Sequence, residues 1–296
     1  MAKQGFRIID SDMHVLEPHD LWSERLPARY RDRAPHLARV PGLGNVTWKC
    51  EGRFYPAHTD HPKRATLNQT RYDQSDERFR RYDDAMARRF DAKSQLDAMD
   101  VEGIDVAVTF RTMGSHVIAD DALEPAFAAA LCRAFNRWLA ERCREAPGRL
   151  KATAIVALHD VDLAVEEARF AVEELGHVAL VLPTNPVAGR PWYDEAYDPL
   201  WRAASELGVP VAFHGIQGAY QEHLVNRYLD NLMLMHAAAH PGADLVGSGI
   251  RRHRHSPPGS SPSVTRAPAK RLQPAVRVEP GAPDPRVPVG GRVGVS

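Results

Sequence analysis

The chain has 296 residues, of which 44% are apolar and 26% are charged. These fractions are close to the averages of folded globular proteins and exclude a wholly disordered or collagen-like chain. Lysine and arginine (38 residues) balance aspartate and glutamate (38 residues), so the net charge gives no reason to expect binding to nucleic acid or to an anionic membrane.

The charge is unevenly distributed along the chain. Residues 1–241 contain 29 basic and 35 acidic residues, whereas residues 242–296 contain 9 basic and 3 acidic residues. The last 55 residues also contain 9 prolines, 8 glycines and no aromatic residue. Such a composition cannot form a large apolar core. We therefore predict a folded part at 1–241 and a disordered tail at 242–296.

The three cysteines suggest neither a disulfide framework nor a zinc site, because they are widely spaced and form no CxxC pair. The first residues contain no apolar segment typical of a secretory signal. No apolar run approaches the roughly 18 residues that a membrane span needs. We expect reduced thiols in a soluble, cytoplasmic protein that does not bind a membrane.

Five short apolar runs predict strands that are buried on both faces, because their apolar residues are consecutive rather than alternating. Helical periodicity predicts one helix before each of the four later strands. The alternation of strands and helices predicts a parallel α/β fold. The predicted strands are FRII at 6–9, IDVAVTF at 104–110, LKATAIVAL at 150–158, VALVLP at 178–183 and VPVAFH at 209–214, and the predicted helices are 84–100, 121–145, 160–175 and 198–207.

The first connection and the end of the chain are unusual for such a fold. Residues 23–83, rich in Arg, Asp, Pro and Tyr, are a long insertion, either a cap over one mouth of a barrel or a partly disordered segment. Three more strand–helix units would need about 90 residues. Only 82 residues follow the fifth strand, and no further strand is recognisable among them. A barrel would therefore stop after the fifth strand.

Asp12, His14 and His214 stand at the ends of predicted strands. The i, i+2 spacing of Asp12 and His14 in a strand places their side chains on the same side. His214 ends the fifth predicted strand. Each residue alone has an ordinary structural interpretation, as a capping aspartate or a hydrogen-bonded histidine. Together they favour a divalent metal site, because active sites of α/β folds gather at the carboxyl ends of strands.

Several segments together resemble the amidohydrolase superfamily, in the branch similar to aminocarboxymuconate-semialdehyde decarboxylase. The resemblance covers about Phe6 to Pro241, and its specificity lies in the combination of segments rather than in any single one. The segments are IDSDMHVLEPHDLW at 9–22, QLDAMDVEGIDVAVTF at 95–110, FNRWLAERC at 135–143, PGRLKATAIVALHD at 147–160 and YDPLWRAASELGVPVAFHG at 197–215.

The resemblance implies a distorted (β/α)8 TIM-like barrel that holds one divalent ion, zinc or, as the alternative, manganese, at its carboxyl-terminal mouth. Asp12 and His14 match the first-strand ligand pair, with aspartate where many relatives carry histidine, and His214 matches the fifth-strand ligand. The later-strand histidine and aspartate of such families cannot be placed, so no catalytic residue is assigned.

The implied function is that of a metal-dependent hydrolase or non-oxidative decarboxylase of a small organic carboxylate or aromatic substrate. Since the later-strand groups are missing, we expect weak or absent turnover, and an inactive remnant is the alternative. The expected partner is a small-molecule substrate. A homo-oligomer is also considered. His236 and His240 are interpreted as helix-end residues, and Trp192, Tyr193 and Trp201 as packing residues.

The tail has the composition of a shifted reading frame of GC-rich coding sequence, and we state that origin as a hypothesis. The competing interpretation is a basic arm, RRHRH at 251–255, that binds nucleic acid or another partner. The tail has no aromatic side chain on which bases could stack. The sequence therefore disfavours nucleic-acid binding.

Overall fold

The computed structural model describes residues 5–41, 46–55, 83–112, 118–183, 187–190, 192 and 194–214, which all lie in the unit Met1–Arg254. The predictions for Tyr193, His236, His240, the basic segment 251–255 and the tail 242–296 lie outside the described residues, as does the part of the insertion at 56–82.

The described residues form eight strands and six α-helices. The strands are β1 (Ile9–His14), β2 (His36–Arg39), β3 (Val46–Cys50), β4 (Arg53–Tyr55), β5 (Val106–Phe110), β6 (Leu150–Ile155), β7 (Ala179–Pro183) and β8 (Val211–His214). The helices are α1 (Leu21–Arg25), α2 (Asp83–Ala87), α3 (Ala92–Glu102), α4 (Pro125–Arg144), α5 (Val161–Arg169) and α6 (Asp198–Leu207), with 3₁₀ turns at Ala28–Arg33 and Glu195–Tyr197 and a π-helical turn at Phe170–Glu174.

The larger sheet has the order β1-β5-β6-β7-β8, and every neighbouring pair is parallel. Helices α3 to α6 lie in the connections between its strands. The sheet curls into half of a (β/α)8 barrel, which confirms the predicted fold class. Within the described part of the chain this barrel has five strands, as the sequence predicts.

Strand β1 begins at Ile9, the last residue of the predicted strand at 6–9, and continues through both Asp12 and His14. Its pairing with β5 shifts between Asp10 and Met13, and the backbone pairing continues beyond the strand, where Val15 N donates to Phe110 O at 2.8 Å. A local bulge of this kind changes the direction of the following side chains. The predicted ligands therefore lie within the paired strand.

The predicted helix at 84–100 is wrong as a single element, since it is divided into α2 and α3. Between them Arg89 and Phe90 have φ values of 55° and 49°, a left-handed conformation that no α-helix contains. The side chain of Asp91 then accepts a hydrogen bond from Ser94 N at 2.8 Å and begins α3. This local capping interaction overrides the apolar periodicity of the segment.

The other helices lie where the sequence predicts them. Asp160 caps α5 by accepting hydrogen bonds from Asp162 N and Leu163 N. Helix α6 ends at Gly208, whose φ of 67° is the left-handed conformation that glycine adopts without strain. Helix α6 begins at Asp198, as predicted.

The core lies on both faces of the large sheet, because successive residues of its strands point to opposite sides. Val181 of β7 belongs to a cluster that includes α4, whereas its neighbours Leu180 and Leu182 pack against α5 and α6. Trp192 is 4% exposed and packs against Tyr197 and Trp201, with ring centroids 5.1 and 6.1 Å away. The packing interpretation of both tryptophans is confirmed.

The described part of the insertion at 23–83 contains a small antiparallel sheet of β2, β3 and β4. Trp48 of β3 packs edge-on against Trp22, with ring centroids 5.1 Å apart. At the end of β4 the Tyr55 hydroxyl donates to the carboxylate of Asp120, which also pairs with Arg53 at 2.6 Å. The insertion is therefore attached to the connection that follows β5.

Among the described residues, no helix combines the length and the apolar character needed to cross a membrane.

A buried histidine lies between α5 and β7, away from the predicted metal ligands. His177 is 2% exposed, and its Nε2 donates to the backbone oxygen of Asn136 at 3.0 Å. Burial disfavours the charged imidazolium and lowers the pKa of His177 from 6.5 to about 4. The unfolded chain therefore binds a proton more readily than the folded chain between these two values.

We expect the contribution of His177 to the free energy of unfolding to be complete above pH 6.5 and to fall as the pH is lowered from 6.5 toward 4, with a slope of at most about 1.4 kcal/mol per pH unit. Denaturant unfolding of the wild type and of His177→Gln at several pH values isolates this contribution, because the other titrating groups are common to both chains. Parallel pH profiles for the two chains would contradict the assignment.

Candidate metal centre

The curl of the large sheet brings its first and fifth strands together at their carboxyl ends. His14 ends β1 and His214 ends β8, although 200 positions separate them in sequence. Their Nε2 atoms are 3.1 Å apart, and their rings meet edge-on with centroids 4.8 Å apart. The two histidines that the sequence places at separate strand ends therefore form one site.

Asp12 completes a triangle of donor atoms with these histidines. Its Oδ1 lies 3.7 Å from His14 Nε2 and 3.3 Å from His214 Nε2. For metal–ligand bonds of about 2.0–2.1 Å, the edges of a tetrahedron measure about 3.3–3.4 Å. The three donor atoms thus have the spacing of one face of a tetrahedral site, and carboxylate and imidazole are suitable ligands for a divalent ion.

The three side chains of the triangle differ in their exposure to solvent. The side chains of Asp12 and His14 are 60% and 41% exposed, whereas that of His214 is 22% exposed. Accessibility decreases from the carboxylate toward β8, so the imidazole of His214 forms the deepest part of the site.

His14 is held by a hydrogen bond from the side opposite the triangle. Thr112 Oγ1 donates to the backbone oxygen of Val15 at 2.6 Å, so it accepts a hydrogen bond from His14 Nδ1 at 3.2 Å. Glu17 Oε1 accepts from Thr112 N at 2.9 Å and fixes the backbone of the same residue. This arrangement leaves a lone pair on His14 Nε2, directed toward the triangle.

His214 is held by a buried arginine. Arg111 follows β5, is 1% exposed, and donates from Nη2 to the backbone oxygen of His214 at 2.9 Å and from Nη1 to His214 Nδ1 at 3.2 Å. The Phe110 ring lies beside the imidazole, with centroids 5.5 Å apart. Burial lowers the pKa of Arg111 to about 9, and the nearby charges of Glu17 and Asp12 oppose this shift. The guanidinium remains positively charged at neutral pH.

The structure therefore unites all three predicted ligands, Asp12, His14 and His214. It adds Arg111 and Thr112, which the sequence analysis did not identify. The position of Arg111 and Thr112 in the sequence could have identified them. Both residues directly follow the buried strand VAVTF, and they lie at the same edge of the sheet as His14 and His214.

Comparison with known proteins agrees with this fold. The amidohydrolase family model matches residues 9–268 of this chain, so the match extends past Pro241 and ends inside the segment 242–296. A 6-methylsalicylic acid decarboxylase from Aspergillus aculeatus is 34% identical over 148 residues, which are 48% of this chain and 44% of that protein. The chain thus aligns with less than half the length of this curated relative.

Two solved structures share the fold. An amidohydrolase from Mycobacterium avium subsp. paratuberculosis is 23% identical with a TM-score of 0.57, covering 79% of this chain and 65% of that one. A 5-carboxyvanillate decarboxylase from Novosphingobium aromaticivorans, complexed with manganese and a nitrobenzoic acid, is 19% identical with a TM-score of 0.51, covering 78% and 56%. The half-barrel and the extent of the family match lead to one conclusion: this chain belongs to the amidohydrolase family.

Proposed function

We propose that Asp12, His14 and His214 bind one divalent metal ion, and that the site serves the decarboxylation of a small aromatic carboxylate. The observation that carries this proposal is the triangle of two Nε2 atoms and one Oδ1 atom, with edges of 3.1, 3.3 and 3.7 Å. All three donor atoms lie within 4.8 Å of one another.

Zinc is the ion we propose first, because catalytic zinc sites commonly use three protein ligands of the imidazole and carboxylate type. Manganese is the alternative, since the 5-carboxyvanillate decarboxylase that shares the fold was solved with manganese. The accessible carboxylate side of the triangle leaves room for substrate or water beside the ion.

When bound, a divalent ion supplies positive charge that polarises a carboxylate or phenolate oxygen of the substrate. Two side chains of the protein, Thr112 and Arg111, support the histidine ligands. Thr112 orients the His14 ring, and Arg111 places a buried positive charge behind His214. Arg111 carries one positive charge against the negative charges of Asp12 and Glu17, so a divalent ion leaves the site with a net charge of about +1. That charge favours an anionic substrate.

Decarboxylation is preferred over hydrolysis for two reasons. The positive charge of the loaded site suits a substrate carboxylate, and the relative that is 34% identical is a decarboxylase of an aromatic acid. Hydrolysis is the alternative within the same family, and it would use the ion to activate a water molecule.

The first prediction concerns the metal content of the purified chain. We expect about one equivalent of zinc or manganese in the wild type, and a loss of that equivalent in the double variant His14→Ala, His214→Ala, because two of the three donors are removed. Elemental analysis after dialysis measures both. The matched control is His19→Ala, His36→Ala, which removes two exposed histidines outside the triangle. Equal metal content in all three chains would rule out the proposed ligands.

The second prediction concerns the orientation of His14. Thr112→Val removes the hydroxyl that accepts from His14 Nδ1, so the ring loses its fixed orientation. Loss of such a supporting hydrogen bond weakens metal affinity by about 10- to 100-fold. Titration with a competing chelator measures the affinity. Thr47→Val, which removes a hydroxyl in the small sheet, is the control and should leave metal affinity unchanged.

The third prediction concerns the substrate. Aromatic 2-hydroxycarboxylates should bind the metal-loaded chain and should bind neither the metal-free chain nor the double histidine variant. We expect slow, metal-dependent release of CO₂, since the groups of the later strands are not assigned in this chain. Calorimetry and a CO₂ assay test both points. Binding that is equal with and without metal would refute the proposed chemistry, and rapid turnover would refute the expected impairment.

A further inference from the structure

Arg111 makes two hydrogen bonds to the same residue, His214. One guanidinium nitrogen donates to the backbone oxygen of His214 at 2.9 Å, and another donates to its ring Nδ1 at 3.2 Å. Arg111 is 1% exposed, and its Nε has no hydrogen-bond partner among the described residues. Arg111 therefore fixes both the backbone and the ring of His214.

The direction of the ring hydrogen bond determines where His214 carries its proton. A guanidinium group has donors and no acceptor, so His214 Nδ1 must supply the lone pair. A neutral imidazole whose Nδ1 accepts carries its proton on Nε2. That proton lies on the side facing His14 Nε2, 3.1 Å away, and Asp12 Oδ1, 3.3 Å away.

His14 has the opposite arrangement. Its Nδ1 donates to Thr112 Oγ1, because the threonine hydroxyl proton is already donated to Val15 O. The lone pair of His14 is therefore on Nε2, where it can accept from His214. The two histidines of the triangle thus have opposite tautomers, and together with Arg111 and Thr112 they form a continuous chain of hydrogen bonds.

A metal ligand needs its lone pair on the atom that faces the ion. His14 meets this condition as it stands, whereas His214 has a proton on that atom. Metal-ligating histidines generally donate their other N–H to a carboxylate, carbonyl or water, and Arg111 offers His214 a donor instead. The positive charge of the guanidinium, which is hydrogen-bonded to His214, also repels a cation bound at the triangle.

We infer that Arg111 is a positioning residue that holds His214 in its Nε2–H tautomer and thereby lowers the affinity of the site for a divalent cation. Cation binding requires the Arg111 Nη1 to leave His214 Nδ1. The lowered affinity for a cation rests on the proposed metal function. The tautomer of His214 in the metal-free chain does not.

The first test uses the metal-free wild type. Nitrogen-15 NMR of histidine-labelled protein at about pH 8, where ordinary histidines are neutral, distinguishes the two tautomers. The chains His14→Asn and His214→Asn assign the two signals. We expect an Nδ1–H signal for His14 and an Nε2–H signal for His214. An Nδ1–H signal for His214 in the wild type would overturn the inference, whether or not any Arg111 variant folds.

The second test compares Arg111→Gln with Arg111→Lys. The amide oxygen introduced by Arg111→Gln can accept from His214 Nδ1–H, so this chain should show the Nδ1–H tautomer and bind Zn²⁺ or Mn²⁺ about 10-fold more tightly than the wild type. Arg111→Lys retains a charged donor and should stay close to the wild type. A folded Arg111→Gln chain that keeps the Nε2–H tautomer, or binds the ion no more tightly, would contradict the inference.

The two proposals fail in different ways. If no chain binds either ion although the metal-free spectra show the expected tautomers, the proposed metal function is refuted and the positioning of His214 by Arg111 is supported. If the ion binds through the three ligands but the tautomers are reversed, the metal function is supported and the role of Arg111 is refuted.

Discussion

The site depends on one geometric constraint, the curl of a parallel sheet. The outer strands of the sheet, β1 and β8, come close enough at their carboxyl ends for His14 and His214 to be in contact. A flat sheet of five strands at about 4.8 Å spacing would hold them about 19 Å apart. The packing that curls the sheet therefore brings Asp12, His14 and His214 together.

That curl is maintained by burial on both faces. The buried residues of β6 and β7 belong to two apolar clusters, one that includes α4 and one that includes α5 and α6. The small sheet of the insertion adds Trp48 and Tyr55 to the same core as Trp22. Because protein interiors are closely packed, changes in this core would be transmitted to the strand ends that carry the proposed ligands.

Much of this architecture follows from the sequence. Consecutive apolar residues identify the buried strands, and capping residues such as Asp160 and Gly208 locate helix ends. The division of the helix at Arg89 and Phe90 does not follow from periodicity, because it depends on a local capping hydrogen bond by Asp91. The convergence of Asp12, His14 and His214 could be predicted because strand ends of a parallel sheet meet at one edge. The roles of Arg111 and Thr112 could not, since they depend on which side-chain atoms meet once the strands are paired.

The central claim is that these three side chains bind a common ion, and X-ray absorption at the metal edge of the zinc- or manganese-loaded chain tests it most directly. The account predicts scattering from two imidazole rings and at least one oxygen at about 2.0–2.2 Å from the ion. A spectrum with only oxygen neighbours and no outer-shell imidazole scattering would show that the ion binds elsewhere and would contradict the account.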